Sequence, residues 1–247
     1  MWLLLAFTQE TGTGLMAKLI PYLGAKRSRG TMLSILGRMP QHEVYFETHL
    51  GTGCILNAKP PTIRDVGIEL NAETIELFTY REGAEIIHGA CLEYLAGLDL
   101  ASMGRVFIYC DPPYLMATRT SGHRHQYKFD YTLEDHLEFL AFVKALPPNV
   151  MVMISGYPSE LYDEHLAGWR THQFQAMTRG GVRTEMLWMN YPVPEPFWHT
   201  QAGVNAEDRR RIKRLAKRWG KNFNNRTIME QIAILASMAA THEENDA

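Results

Sequence analysis

Cysteine is scarce in this sequence: Cys54, Cys91 and Cys110 are the whole complement, odd in number and without a CxxC spacing. That argues against a disulfide framework and against a zinc site, so no metal is expected and a reducing cytoplasm is the expected location. The three thiols are expected to act as packing residues. A charge excess is also lacking. With a formal charge of −2 at pH 7 over 247 residues, any attraction to nucleic acid has to come from local clusters. Long apolar runs are missing too. Met1-Trp2-Leu3-Leu4-Leu5-Ala6-Phe7 is apolar but lacks a basic n-region and runs into Thr8-Gln9-Glu10, which predicts neither a signal peptide nor a membrane span. Met16 offers a second start and leaves residues 1–15 as an extension. There is no internal repeat and no low-complexity tract.

What is present is enough apolar residue, 46% against 21% charged, to bury the core of one globular domain with an appendage. Val44-Tyr45-Phe46-Glu47, Val66-Gly67-Ile68-Glu69, Val106 to Cys110, Val150 to Ile154 and Met186-Leu187-Trp188-Met189 read as short strands. Between them, Asn71 to Tyr80 and Leu133 to Ala145 carry helical spacing. Such alternation predicts a mostly parallel α/β sheet covered by helices. Tyr191-Pro192-Val193-Pro194-Glu195-Pro196 forbids both helix and central strand and separates this body from a helical tail. The predicted division is a catalytic domain over 16–198 and a basic helical tail over 199–247.

The strand ending at Cys110 runs into Asp111-Pro112-Pro113-Tyr114. Two prolines cannot donate to a sheet, so the strand stops and leaves this corner at its carboxyl end, where open α/β sheets bind ligands. An exocyclic amine on a base is a poor nucleophile because its lone pair is delocalised into the ring. Two acceptors fixed on its hydrogens, the Asp111 carboxylate and the Pro112 carbonyl, would free that pair for attack on an activated methyl group. Tyr114 is placed to stack on the base, a contact worth about 1–3 kcal/mol. The same four residues also read as a strand-ending turn.

The first strand leads into Glu47-Thr48-His49-Leu50-Gly51-Thr52-Gly53, where glycines let the backbone approach a ligand closely. Sixteen residues beyond Gly53, Glu69 ends the next strand, where an acidic side chain accepts both hydroxyls of a ribose. Together they suggest an adenosine-containing cofactor. Glu69 alternatively reads as a helix-terminal charge preceding Asn71 as the cap.

Pro21-Tyr22-Leu23-Gly24-Ala25-Lys26, the Glu47 to Gly53 loop, Ile68-Glu69-Leu70-Asn71 and Asp111-Pro112-Pro113-Tyr114, in that order, resemble the motifs of Dam-like DNA adenine-N6 methyltransferases. Ile154-Ser155-Gly156-Tyr157 and Arg183-Thr184-Glu185-Met186-Leu187-Trp188 resemble segments of the small phage and prophage members, so the likeness spans about residues 18–192. The resemblance implies a Rossmann-like methyltransferase fold, a mostly parallel seven-stranded sheet with one antiparallel strand, and S-adenosylmethionine as cofactor. By the same resemblance Tyr22, Lys26 and Glu47 border the cofactor, Gly51 and Gly53 face its methionine part, and Glu69 its ribose. Asp111, Pro112, Pro113 and Tyr114 then hold a flipped adenine. Lys26 also reads as a solvated charge in the run Lys26-Arg27-Ser28-Arg29, turned toward phosphate.

The chain departs from the family's pattern in places. Thr48 and His49 stand where the family prefers Pro and Phe, which removes an aromatic wall; His49 reads either as the cap of a cavity or, the preferred expectation, as a solvent-facing loop residue. Ala90 or Cys91 occupies the place of an aspartate that often contacts the cofactor's adenine. Tyr94 and Asp111 are also too close for a DNA-reading domain between them. DNA contact is therefore expected after the corner, in a lid over Thr118 to Lys128 that carries Arg119, Arg124 and Lys128, unless this is only a flexible loop. The second expected contact is a helix over Arg209 to Trp219, with seven basic residues among Arg209 to Arg218. There Ile212, Leu215, Ala216 and Trp219 form a stripe that packs, while Arg210, Arg211 and Arg214 face phosphate, unless the charges are only a solvated face. The expected activity is site-specific methylation of adenine N6 in duplex DNA, as in restriction-modification or phage systems. RNA, cytosine N4 or protein glutamine as the acceptor, or a catalytically silent DNA-binding protein, are the alternatives.

Overall fold

The structure, a computed structural model, describes Lys26 and residues 28–118, 128–178, 181–194 and 206–243. Seven strands form one sheet: β1 (Val44–Glu47), β2 (Arg64–Glu69), β3 (Glu85–His88), β4 (Val106–Cys110), β5 (Val150–Gly156), β6 (Arg170–Thr178) and β7 (Gly181–Met189). Their order is β3-β2-β1-β4-β5-β7-β6. Neighbours pair in parallel from β3 to β5, whereas β7 runs antiparallel to both β5 and β6. Among the described residues the sheet is thus the mostly parallel one that the alternation predicted, with the seven strands and single antiparallel strand that the resemblance implied.

All five residues of β4 are buried, as suits a central strand, and their alternation divides the core in two. Val106, Ile108 and Cys110 join a cluster with Leu95 of α4 (Cys91–Ala96), Phe139 of α5 (Leu133–Lys144) and Tyr162 of α6 (Glu160–His165). Phe107 and Tyr109 point the other way, into Ile35 of α1 (Arg29–Leu36) and Ile55 of α2 (Cys54–Ala58). Each such side chain stabilises the fold by about 1.5–3 kcal/mol on burial. The layered core fixes β1 and β4 side by side, and so fixes what projects from their ends.

The helix predicted over Asn71 to Tyr80 is shorter, α3 (Ala72–Leu77), capped by the Asn71 side chain on the Glu73 amide. It stops early because Tyr80 is recruited elsewhere: its hydroxyl donates to the Gly51 carbonyl at 2.9 Å. The helix predicted over Leu133 to Ala145 is α5, started by a reciprocal capping box between Thr132 and Asp135. Strands β3 and β6 were not predicted. Both lie at sheet edges, where one face stays wet and the apolar signal is diluted.

The tail is helical, α7 (Ala206–Asn224) followed by α8 (Ile228–Glu243). Its apolar stripe does not pack as expected, for Leu215 is 37% and Trp219 62% exposed. All three cysteines are free thiols, Cys91 and Cys110 buried and Cys54 partly so. No described helix is long and apolar enough to cross a membrane.

Candidate active site

β1 is the point where the chain, having laid β2 and β3 to one side, crosses to lay β4 and the rest on the other. Loops leave β1 and β4 in opposite directions and open a crevice at their carboxyl ends. A cavity of about 610 Å³ occupies it, running from Glu69, Ala90 and Glu138 to Lys26, Asp111 and Tyr114. That volume lies within the range of roughly 300–1,000 Å³ typical of small-molecule sites. The two motif groups separated in sequence therefore share one space.

At the corner, each oxygen of Asp111 is held. Oδ1 accepts from Ser155 Oγ and Oδ2 from Lys26 Nζ, both at 2.7 Å. Because Ser155 gives its proton to Asp111, the Tyr109 hydroxyl 2.9 Å away is the donor to Ser155. Lys26 donates a second bond, 2.7 Å, to the Tyr114 hydroxyl, and the Tyr114 ring meets Tyr157 edge-on at 4.5 Å. Pro112 and Pro113 line the same cavity. Lys26 is only 6% exposed, which overturns its reading as a solvated charge. Burial works against its charge, but Asp111 and then Glu185 outweigh it and hold the ammonium well above its ordinary pKa.

Glu185 is a component the sequence reading had only as part of a segment. It projects from β7, 5% exposed, and hydrogen-bonds to Tyr114. Burial pushes its pKa up, with Lys26 opposing the shift. Its other oxygen, Oε2, is buried without a partner. A glutamate set before Met186-Leu187-Trp188-Met189 was the available signal, since an apolar strand takes a carboxylate inward only at a cost.

On the β1 side, Gly51 adopts a left-handed φ of 51° and its amide donates to Glu69 Oε2 at 2.8 Å. The Asn71 amide donates to Oε1 at 2.8 Å. Glu69 thus ties the glycine loop to the end of β2, and as a residue lining the cavity it retains lone pairs that hydroxyl donors can use. At Gly53, expected to face the cofactor, the ring of Tyr80 explains the need for glycine: a Cβ there would lie 2.6 Å from that ring, and its φ of 61° also favours glycine. Glu47 is 3% exposed and accepts from the Tyr45 hydroxyl at 2.8 Å. Burial pushes its pKa up to about 8 against that hydrogen bond, so the carboxyl is mainly protonated at neutral pH.

His49 is not the solvent-facing residue expected. Its Nδ1 lies 2.8 Å from Thr48 Oγ1 and its Nε2 2.9 Å from the Tyr131 hydroxyl, while Cys91 Sγ is 3.8 Å from Nε2. Thr48 directs its own proton to the Tyr109 carbonyl at 3.5 Å, so Nδ1 carries the proton given to Thr48 and Nε2 accepts from Tyr131. Burial lowers the His49 pKa to about 3, which keeps the ring neutral. With Tyr131 and Phe139 against its edges, His49 rebuilds the aromatic wall that the departure from Phe had removed.

Tyr22, Arg119 and Arg124 lie outside the described residues. Lys128 lines the cavity and pairs with Glu73 at 2.8 Å. Arg210, Arg211 and Arg214 are exposed on α7, Arg211 bridged to Asp208 at 2.8 Å.

No known family profile matches the chain, and no curated protein matches it. Solved structures similar to it include an rRNA methylase from Streptococcus thermophilus, with 12% identity, 64% of this chain and 93% of that chain covered, and a TM-score of 0.40. The O-methyltransferase TomG from Streptomyces achromogenes, in complex with SAM, has 18% identity, coverage of 67% and 79%, and a TM-score of 0.42. The human METTL16 catalytic domain, in complex with the MAT2A 3'UTR hairpin 6, has 12% identity, coverage of 72% and 74%, and a TM-score of 0.43. Likenesses this distant leave function to be read from the cavity.

Proposed function

We propose that this chain is an S-adenosylmethionine-dependent methyltransferase acting on adenine N6 in DNA. The observation that carries the reading is the single cavity joining the glycine loop and Glu69 to the Asp111 corner. The residues fit the cofactor: the carboxylate of Glu69 keeps lone pairs for ribose hydroxyls, and Gly51 and Thr52 leave room at the end of β1. When bound, S-adenosylmethionine supplies an electrophilic methyl group. Asp111 and the Pro112 carbonyl would grip the hydrogens of the target amine, and Tyr114 would hold its ring. Asp111 needs no strong basicity, because the amine's proton leaves to solvent afterwards.

Expression in a methylation-deficient host, followed by nucleoside analysis of its nucleic acids, tests the reading. N6-methyladenine in DNA is the expected product. N4-methylcytosine, or methylation confined to RNA or protein glutamine, would replace the substrate. Absence of cofactor binding by calorimetry would favour a silent DNA-binding protein. The exposed arginines of α7 supply phosphate contacts in this reading. Replacing Arg210 and Arg214 with alanine should weaken DNA binding at every sequence and lower the slope of log K against log salt by about 2, measured by fluorescence anisotropy.

A further inference from the structure

Asp111 can serve a target amine fully only when its negative charge is available, because that amine gains positive charge as it attacks. In this structure the charge is answered by Lys26, whose Nζ sits 2.7 Å from both Asp111 Oδ2 and the Tyr114 hydroxyl. The ammonium therefore stands between the carboxylate and the aromatic ring that would hold the target. It is buried, and an unpaired buried ammonium is strongly disfavoured, so it can yield Asp111 only to another carboxylate.

One such carboxylate is at hand. Glu185 interacts with Lys26 electrostatically, bonds to the Tyr114 hydroxyl that Lys26 also touches, and keeps Oε2 buried without a partner. A buried acceptor left open is costly, and a second state of the site that pairs it would recover that cost. We propose that Glu185 is a positioning residue, the second seat of the Lys26 ammonium: a target amine takes Oδ2 of Asp111 as Nζ moves onto Oε2 of Glu185. The exchange keeps the net charge of the site constant and requires no other group to move charge. It rests on the methyltransferase reading and adds to it a residue outside the motif corner.

The test is a kinetic comparison of wild type, Glu185→Gln, Lys26→Met and the double variant, with tritiated S-adenosylmethionine and methylation-free plasmid DNA. Glu185→Gln should raise the KM for DNA or lower the single-turnover rate about tenfold, with cofactor affinity by calorimetry unchanged. The same substitution in the Lys26→Met background should change neither by more than about twofold, because the group it seats is gone. Glu185→Asp should restore most of the loss, and it provides a folded comparison if Glu185→Gln melts early. Effects of equal size in both backgrounds, or a loss that follows melting temperature and cofactor affinity, would overturn the second seat while leaving the methyltransferase reading intact. A wild-type protein that binds DNA and cofactor yet transfers no methyl group would overturn both.

Discussion

At the corner end of the cavity, Lys26, Asp111 and Glu185 bring one cation and two carboxylates into a few ångströms of buried space, stitched by Tyr114 and Ser155. At the other end, His49, Thr48, Tyr131 and Cys91 satisfy one another without a formal charge. In the proposed reading the difference follows from what each end would meet. An amine that becomes cationic needs a carboxylate whose charge can be released to it, whereas a nucleoside needs a shaped wall and hydrogen-bond partners. Burial disfavours the cation at both ends with opposite outcomes: at the corner Asp111 and Glu185 overcome it and keep Lys26 charged, while at the wall nothing opposes it and His49 stays neutral.

Removing the charge at the centre of the corner should separate the two ends most sharply. Asp111→Ala is expected to lower methyl transfer by at least about a hundredfold, by analogy with the loss of one electrostatic partner in other active sites. Cofactor affinity, measured by calorimetry, should change far less. Equal losses in both would mean that the two ends form one indivisible site. Glu69→Ala should show the converse pattern. Loss of a charge-assisted partner, about 1.5–3 kcal/mol, weakens cofactor binding roughly ten- to a hundredfold, while saturating cofactor restores much of the rate.

These two residues were also the legible ones. Asp111 could be found because an apolar run meets two prolines, and Glu69 because it ends the strand after the glycine loop. The partners that make them a site were harder to see. Lys26 and Asp111 are 85 positions apart, and His49 and Tyr131 are 82 apart, so no local pattern pairs them. Glu185 was hidden by its strand, and His49 was misplaced because a loop histidine is exposed by default until tertiary packing supplies its partners. The sheet was legible where strands are buried on both faces and illegible at β3 and β6, where half of each strand faces solvent. The packed stripe expected on α7 failed for a related reason: periodicity marks a face but does not say what covers it.

Between the two ends sits Glu47, and its protonation should sharpen the comparison through stability. Below its ordinary pKa of 4.5 the carboxyl is protonated in both folded and unfolded chains. From there to about 8 the unfolded chain gives up its proton while the folded one retains it. Stability should therefore fall with rising pH across that window, by up to about 1.4 kcal/mol per pH unit from this group, and level off above it. Glu47→Gln should flatten that part of the profile in urea unfolding at pH 5, 6 and 7. An unchanged profile would mean that Glu47 ionises as readily in the fold as outside it.

The smallest effect is expected at the neutral wall. Tyr131→Phe keeps the ring against His49 and Phe139 but removes the hydroxyl that donates to His49 Nε2. Nε2 is then left with only the weak contact to the Cys91 thiol at 3.8 Å, a loss of about 1 kcal/mol in stability. If the wall only shapes the nucleoside end, single-turnover methyl transfer at saturating cofactor should match wild type, and any change should be confined to cofactor affinity. A fall in the chemical rate at saturating cofactor would instead tie the wall to the corner. The route is on hand: Thr48 contacts His49 on one side and the Tyr109 carbonyl on the other, and the Tyr109 hydroxyl reaches Ser155, the donor to Asp111.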